Sequence, residues 1–131
     1  MILWFVRNEL LFTNKGLDDC KEVILPTKLP IYSVCHRPKE NLIVVALANL
    51  SDVGNNEDYN VYGVSDITGE IFWRIKPKQN EPLLTDVFHY FCELIELPDD
   101  SNLYVLDNLN MKWKIDLFSG EISNTGLYCN K

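Results

Sequence analysis

Val64-Ser65-Asp66-Ile67-Thr68-Gly69-Glu70-Ile71-Phe72-Trp73 is echoed downstream by Lys114-Ile115-Asp116-Leu117-Phe118-Ser119-Gly120-Glu121-Ile122. Each reads as an apolar strand ending in Asp, a turn carrying Thr/Ser-Gly-Glu, and a further strand. The chemistry is that of a tight hairpin: glycine supplies the positive φ, while the preceding Asp and the Ser/Thr bond to the turn amides. The echo extends outward. Asn41-Leu42-Ile43-Val44-Val45 before the first turn matches Asn102-Leu103-Tyr104-Val105-Leu106 before the second, and Pro38 and Pro98 precede each copy. Asn60-Val61-Tyr62-Gly63 and Lys112-Trp113 open the second strands. Pro38–Ile71 and Pro98–Ile122 are therefore imperfect copies of one small β unit, and repetition of such a unit sets the architecture. Strands are predicted at Leu42–Leu47, Val61–Ser65, Ile71–Ile75, Leu103–Leu106 and Lys112–Leu117.

At 131 residues the chain fits one domain, 1–131, able to bury a core without disulfide or metal support. A hydrophobic fraction of 47% with six Phe, six Tyr and three Trp excludes a disordered chain. Met1-Ile2-Leu3-Trp4-Phe5-Val6 is broken at once by Arg7, Asn8 and Glu9, which fits neither a signal peptide nor a membrane span, and the expected location is the cytoplasm. Cys20, Cys35, Cys92 and Cys129 are expected to be reduced thiols on this reading, with Cys35 and Cys92 as small buried hydrophobes.

The net charge of −7 is unevenly spread: residues 1–50 carry six basic and five acidic side chains, residues 51–131 six basic and fourteen acidic, a net of −8. This makes nucleic acid and anionic membrane poor partners and a basic protein a favoured one.

Ile2–Thr13 contains two apolar runs separated by Arg7-Asn8-Glu9, the pattern of a hairpin, and Lys21–Leu25 suits another short strand before Pro26 and Pro30. Ile31–Cys35 is β-rich. The run Leu42-Ile43-Val44-Val45-Ala46-Leu47-Ala48 is that of a central strand buried on both faces. Ser51–Asn60 then inserts a loop bearing Asp52, Glu57 and Asp58, reduced in the second copy to Asp107-Asn108-Leu109-Asn110. Extra loop length is tolerated at small cost and here concentrates charge, which marks a candidate binding loop. Lys76–Pro82 reads as an aperiodic link. Leu84, Phe88, Phe91 and Ile95 recur at helical spacing and allow one short helix near residues 84–92, whereas Glu93–Leu97 occupies a strand's place in the repeat. Thr85–Tyr90 stays open between the two.

The Asp-x-(x)-Thr/Ser-Gly-Glu hairpin followed by an apolar strand with Trp resembles the blades of β-propellers of the quinoprotein and WD type. The resemblance covers residues 31–76 and 91–125, and the second copy has Ser123-Asn124 where the first has Phe72-Trp73. A closed propeller needs at least about four blades of roughly 40 residues, more than this chain holds. The expected fold is therefore mainly β, an antiparallel meander of two to three blade-like sheets and not a closed propeller. The quinoprotein type of cofactor needs a central channel and is not expected.

His36 follows Cys35, and His89 stands three before Cys92, so four metal ligands can be written down. Adjacent strand residues face opposite sides, which prevents Cys35 and His36 from sharing an ion, and no metal is expected. No Gly-x-Ser-x-Gly elbow or phosphate-cradling loop occurs, so the chain is not expected to be an enzyme and carries no candidate catalytic residue. Glu93, Glu96, Asp99, Asp100 and Asp107 form a second acidic concentration; a solvated face or a protein-binding patch explains them better than acid/base chemistry. Trp4, Trp73 and Trp113 are read as core residues.

A small acidic β protein without a catalytic signature is most simply a binding protein. In size and charge it resembles the immunity proteins that bacteria make beside the toxin domains of contact-dependent inhibition. That resemblance implies an acidic face that neutralises a basic nuclease toxin, an RNase above all, by occluding its active site, with no cofactor. The candidate partner-binding residues are Asp52, Glu57, Asp58, Glu93, Glu96, Asp99 and Asp100. The alternative is a non-enzymatic β-sheet interaction module of a larger complex.

Overall fold

A computed structural model describes residues 3–6, 10–14, 20–24, 31–48, 59–77, 91–97 and 100–128. Three sheets follow one another along the chain. The first is the antiparallel meander β1 (Leu3–Val6), β2 (Leu10–Asn14) and β3 (Cys20–Ile24). The second is β4 (Ile31–Arg37), β5 (Leu42–Leu47), β6 (Val61–Ser65) and β7 (Ile71–Arg74), antiparallel in chain order. The third runs in the spatial order β8 (Lys76–Pro77), β12 (Glu121–Tyr128), β11 (Met111–Ile115), β10 (Leu103–Asp107), β9 (Phe91–Glu96). The fold is mainly β, in blade-like sheets with no closed barrel.

Agreement with the sequence reading is close in the repeat: Leu42–Leu47 and Val61–Ser65 form as predicted, and Gly69 and Gly120 take the left-handed conformation at φ 79° and 76°. Three details differ. Lys76–Pro82 is not aperiodic from its start, because β8 pairs in parallel with Glu121 and Ile122 of β12. Proline is tolerated there because β8 is an edge strand. The aspartates are not equivalent: in the second turn Asp116 Oδ1 accepts from the amides of Phe118 (2.8 Å) and Ser119 (3.2 Å), but in the first turn Ser65 Oγ takes that role toward Ile67 (3.1 Å) and Thr68 (3.0 Å). Asp66 is one position too late to cap the turn. Asp107, read above as part of an acidic surface, is buried: its Oδ1 accepts from the amides of Leu109 (2.8 Å) and Met111 (2.9 Å), and its Oδ2 from Trp113 Nε1 (2.9 Å). A carboxylate can be buried at modest cost only when several donors satisfy it, as they do here. The short helix weighed near residues 84–92 lies outside the described residues, apart from Phe91 and Cys92, which open strand β9 and are not helical.

The core forms between the second and third sheets. Period-two alternation sends Leu42, Val44 and Ala46 of β5 toward Leu103, Val105, Trp113 and Ile122, while Ile43, Val45 and Leu47 join Tyr62 and Val64 on the opposite face. All six β5 side chains are buried, the signature of a central strand between two apolar layers. Two polar side chains pin the sheets together. Asn60 donates from Nδ2 to the carbonyls of Leu47 (2.6 Å) and Phe91 (2.7 Å), and its Oδ1 accepts from the Phe91 amide (2.9 Å). Trp73 donates from Nε1 to the Leu117 carbonyl at 2.9 Å. Its indole lies against Gly63, where any Cβ would collide with the ring, and against Gly120, where a Cβ would stand 2.5 Å from Cε3. The same alternation turns Tyr104, Leu106, Lys112, Lys114 and Ser123 away from the core, so the far face of the third sheet is mixed, with Leu106 buried on it.

Candidate protein-binding surface

Strands β4 and β9 lie side by side where the second and third sheets meet. Arg37, the last residue of β4, reaches across this seam: Nη1 donates to Glu96 Oε2 at 3.1 Å, the other terminal nitrogen donates to the Ser101 carbonyl, and Nε lies 3.9 Å from Glu40 Oε2. Guanidinium suits this position because its planar fork serves several acceptors at once. Cys35, two residues earlier, points into the core. Burial, reinforced by the hydrogen bond and charge of Glu96, pushes its thiol up to about 12, so it stays protonated and unreactive at neutral pH. His36 points the other way, and its Nε2 donates to Asp66 Oδ2 at 2.8 Å. Asp66 is fully buried; its amide donates to the Asn41 carbonyl at 3.0 Å, and its Oδ1 has no partner among the described residues.

Beyond the seam, the β9–β10 turn is organised by Asp100. Its Oδ1 accepts from the Asn102 amide (2.9 Å) and Nδ2 (2.7 Å), and its Oδ2 accepts from the Tyr104 hydroxyl (2.5 Å). The Tyr104 bond first, and the Asn102 amide second, hold the Asp100 carboxyl below the usual carboxylate range; the same bond raises the Tyr104 hydroxyl above its ordinary value. A depressed carboxyl stabilises the fold above its unfolded-state pKa, and that stabilisation is lost as pH falls through the folded value. Tyr104→Phe is therefore expected to move the Asp100 titration upward toward 3.8, its unperturbed value, as read by carboxyl-carbon NMR. An unmoved titration would show that Tyr104 does not set it.

The candidate acids thus separate. Glu96 and Asp100 gather at the seam, the first with its charge matched by Arg37 and the second engaged by Tyr104 and Asn102. Glu93 sits three residues before Glu96 on β9 and so faces the opposite side of the sheet. Asp52, Glu57, Asp58 and Asp99 lie outside the described residues.

A groove of about 350 Å³ open to solvent runs beside the seam, with Glu40, Ser101 and Asn102 along one part and Lys114, Asp116 and Phe118 along another. None of Glu40, Asp116 or Phe118 was a candidate from sequence. Phe118 carried a signal: strand alternation ends at Asp116, so an aromatic two residues on, in a polar turn, has no sheet face to join. Its side chain is 84% exposed. Glu40 carried none, because its place beside Asn102 depends on how the two sheets meet. Among the described residues no group of three or more His, Cys, Asp or Glu comes together as a metal would require, and no helix is long and apolar enough to cross a membrane.

The second and third meanders, joined where β4 meets β9, have the form of successive β-propeller blades. Among solved structures the chain is similar to the β-propeller Hsv2 from Kluyvelomyces marxianus, with a TM-score of 0.58 at 11% identity. The match covers 99% of this chain and 40% of that one, so the chain spans under half of its structural neighbour, and at this identity the likeness concerns the fold alone. No family model and no curated protein matches the sequence.

Proposed function

We propose that this chain is an acidic protein-binding protein of the immunity type, which covers a basic nuclease toxin domain, an RNase above all, and occludes its active site. The observation that supports this reading is the charge of residues 51–131, fourteen acidic against six basic side chains, carried on a β scaffold. Carboxylates held on such a scaffold stand in for the phosphates of a nucleic acid, pair with Lys and Arg of the partner, and give fast, salt-sensitive association. Of the acids, those of the long loop and Asp99 are the candidates for partner contact, together with Glu93; Asp100 belongs to its turn.

The test is co-expression with the product of the adjacent gene, followed by equilibrium binding. Converting Asp52, Glu57, Asp58 and Asp99 together to Lys, while sparing Asp100, is expected to weaken binding by at least about tenfold at low salt. Unchanged affinity would make the acidity a solubilising surface only. A second reading, a sheet-edge interaction module, has its own support: among the described residues β7 is an edge, and β8 pairs with β12 at Glu121 and Ile122 alone. An extended segment adding to either edge would bind through main-chain hydrogen bonds and would be insensitive to these charge reversals.

A further inference from the structure

Phe118 is the most exposed large hydrophobic side chain among the described residues, yet its turn is held by several hydrogen bonds. Asp116 Oδ1 accepts from the amides of Phe118 and Ser119 at 2.8 and 3.2 Å. The Gly120 amide donates to the Asp116 carbonyl at 2.8 Å, and Trp73 Nε1 fixes the Leu117 carbonyl at 2.9 Å. A benzyl group in water on an immobilised turn contributes nothing to the fold and has already lost the backbone entropy that a contact would otherwise cost. The first copy repeats the arrangement. Ile67, two residues before Gly69 as Phe118 is two before Gly120, is 36% exposed at a tip held by Ser65 Oγ. Of the other tip side chains, Thr68, Glu70, Ser119 and Glu121 are polar, and Leu117 packs against the core.

Phe118 stands at the rim of the groove lined by Glu40, Ser101, Asn102, Lys114 and Asp116. Two carboxylates against one ammonium favour a cation in the groove, and Asp100, just beyond it, is held ionised to low pH. We propose that Phe118 is the anchor of the partner interface, packing against an apolar side chain of a basic protein segment whose Lys or Arg enters the groove toward Glu40 and Asp116. This rests on the reading of the chain as a binder of basic proteins, and adds to it a site and an apolar requirement. Interface energy concentrates in such aromatic anchors ringed by polar groups.

The probe is a fluorescein-labelled decapeptide of alternating Lys and Leu, with alternating Lys-Ser and Glu-Leu peptides for comparison, titrated with the full chain by fluorescence anisotropy. Lys-Leu is expected to bind, and Lys-Ser and Glu-Leu each about tenfold more weakly. Phe118→Ser, at a side chain that buries almost nothing, is expected to leave thermal unfolding unchanged and to weaken Lys-Leu binding about tenfold, and Glu40→Lys to do likewise. Equal binding of Lys-Leu by wild type and Phe118→Ser overturns the anchor while leaving the basic-partner reading intact. Binding of Glu-Leu as strong as Lys-Leu overturns the charge requirement. No binding of either lysine peptide counts against the basic-partner reading itself, and the anchor falls with it.

Discussion

Asn60→Asp is expected to destabilise the protein by about 3–5 kcal/mol, the cost typical of an unpaired buried charge. Asn60 is fully buried, and its amide nitrogen donates to two carbonyls, those of Leu47 in the second sheet and Phe91 in the third. An ionised carboxyl of the same shape would turn a lone pair toward each carbonyl and leave both without a donor. The sign with pH follows. The folded state favours the neutral acid and raises its pKa, so the penalty is smallest below the unfolded-state value near 4 and grows as pH rises through it. Urea unfolding at pH 4 and pH 7 checks this. A loss under about 1 kcal/mol at pH 7 would mean that the Asn60 bridge contributes little to holding the sheets together.

Trp73→Ala is expected to cost a similar amount, about 3–5 kcal/mol, through the cavity left between the sheets and the unpartnered Leu117 carbonyl. Its particular test is coupling. Gly120→Ala strains the turn, because φ is +76°, and also drives a Cβ to 2.5 Å from the indole. In the Trp73→Ala background only the backbone strain and the 3.1 Å approach to the Arg74 carbonyl remain. The two substitutions should therefore be less harmful together than their sum, by about 0.5–3 kcal/mol in a double-mutant cycle. Strict additivity would show that the ring does not pack on Gly120 in solution.

Both residues show how far the sequence could be read. Trp73 was legible as core because blade-like sheets bury an aromatic on their strands, but its contact with Gly120 was not: that pair is 47 positions apart and meets only when two sheets stack. The strands were legible because Leu42–Leu47 and the Gly69 and Gly120 turns are local patterns that burial reinforces. Asp66 and Asp107 were misread for one reason. Whether an aspartate caps a turn, bonds a histidine or receives a tryptophan N–H depends on a one-residue register and on partners across the sheet. Of the binding surface, the overall acidity was legible and the local neutralisation was not, since Arg37 and Glu96 are brought together only by the seam between β4 and β9.

Association kinetics with the co-purified product of the adjacent gene, measured by stopped flow across ionic strength, test the central claim most directly. Electrostatic steering by this chain predicts an on-rate that falls at least about tenfold between 10 mM and 500 mM salt, while the dissociation rate changes little. An on-rate independent of salt, with affinity unchanged, would contradict the account: the acidic face would then play no part in finding or holding a partner.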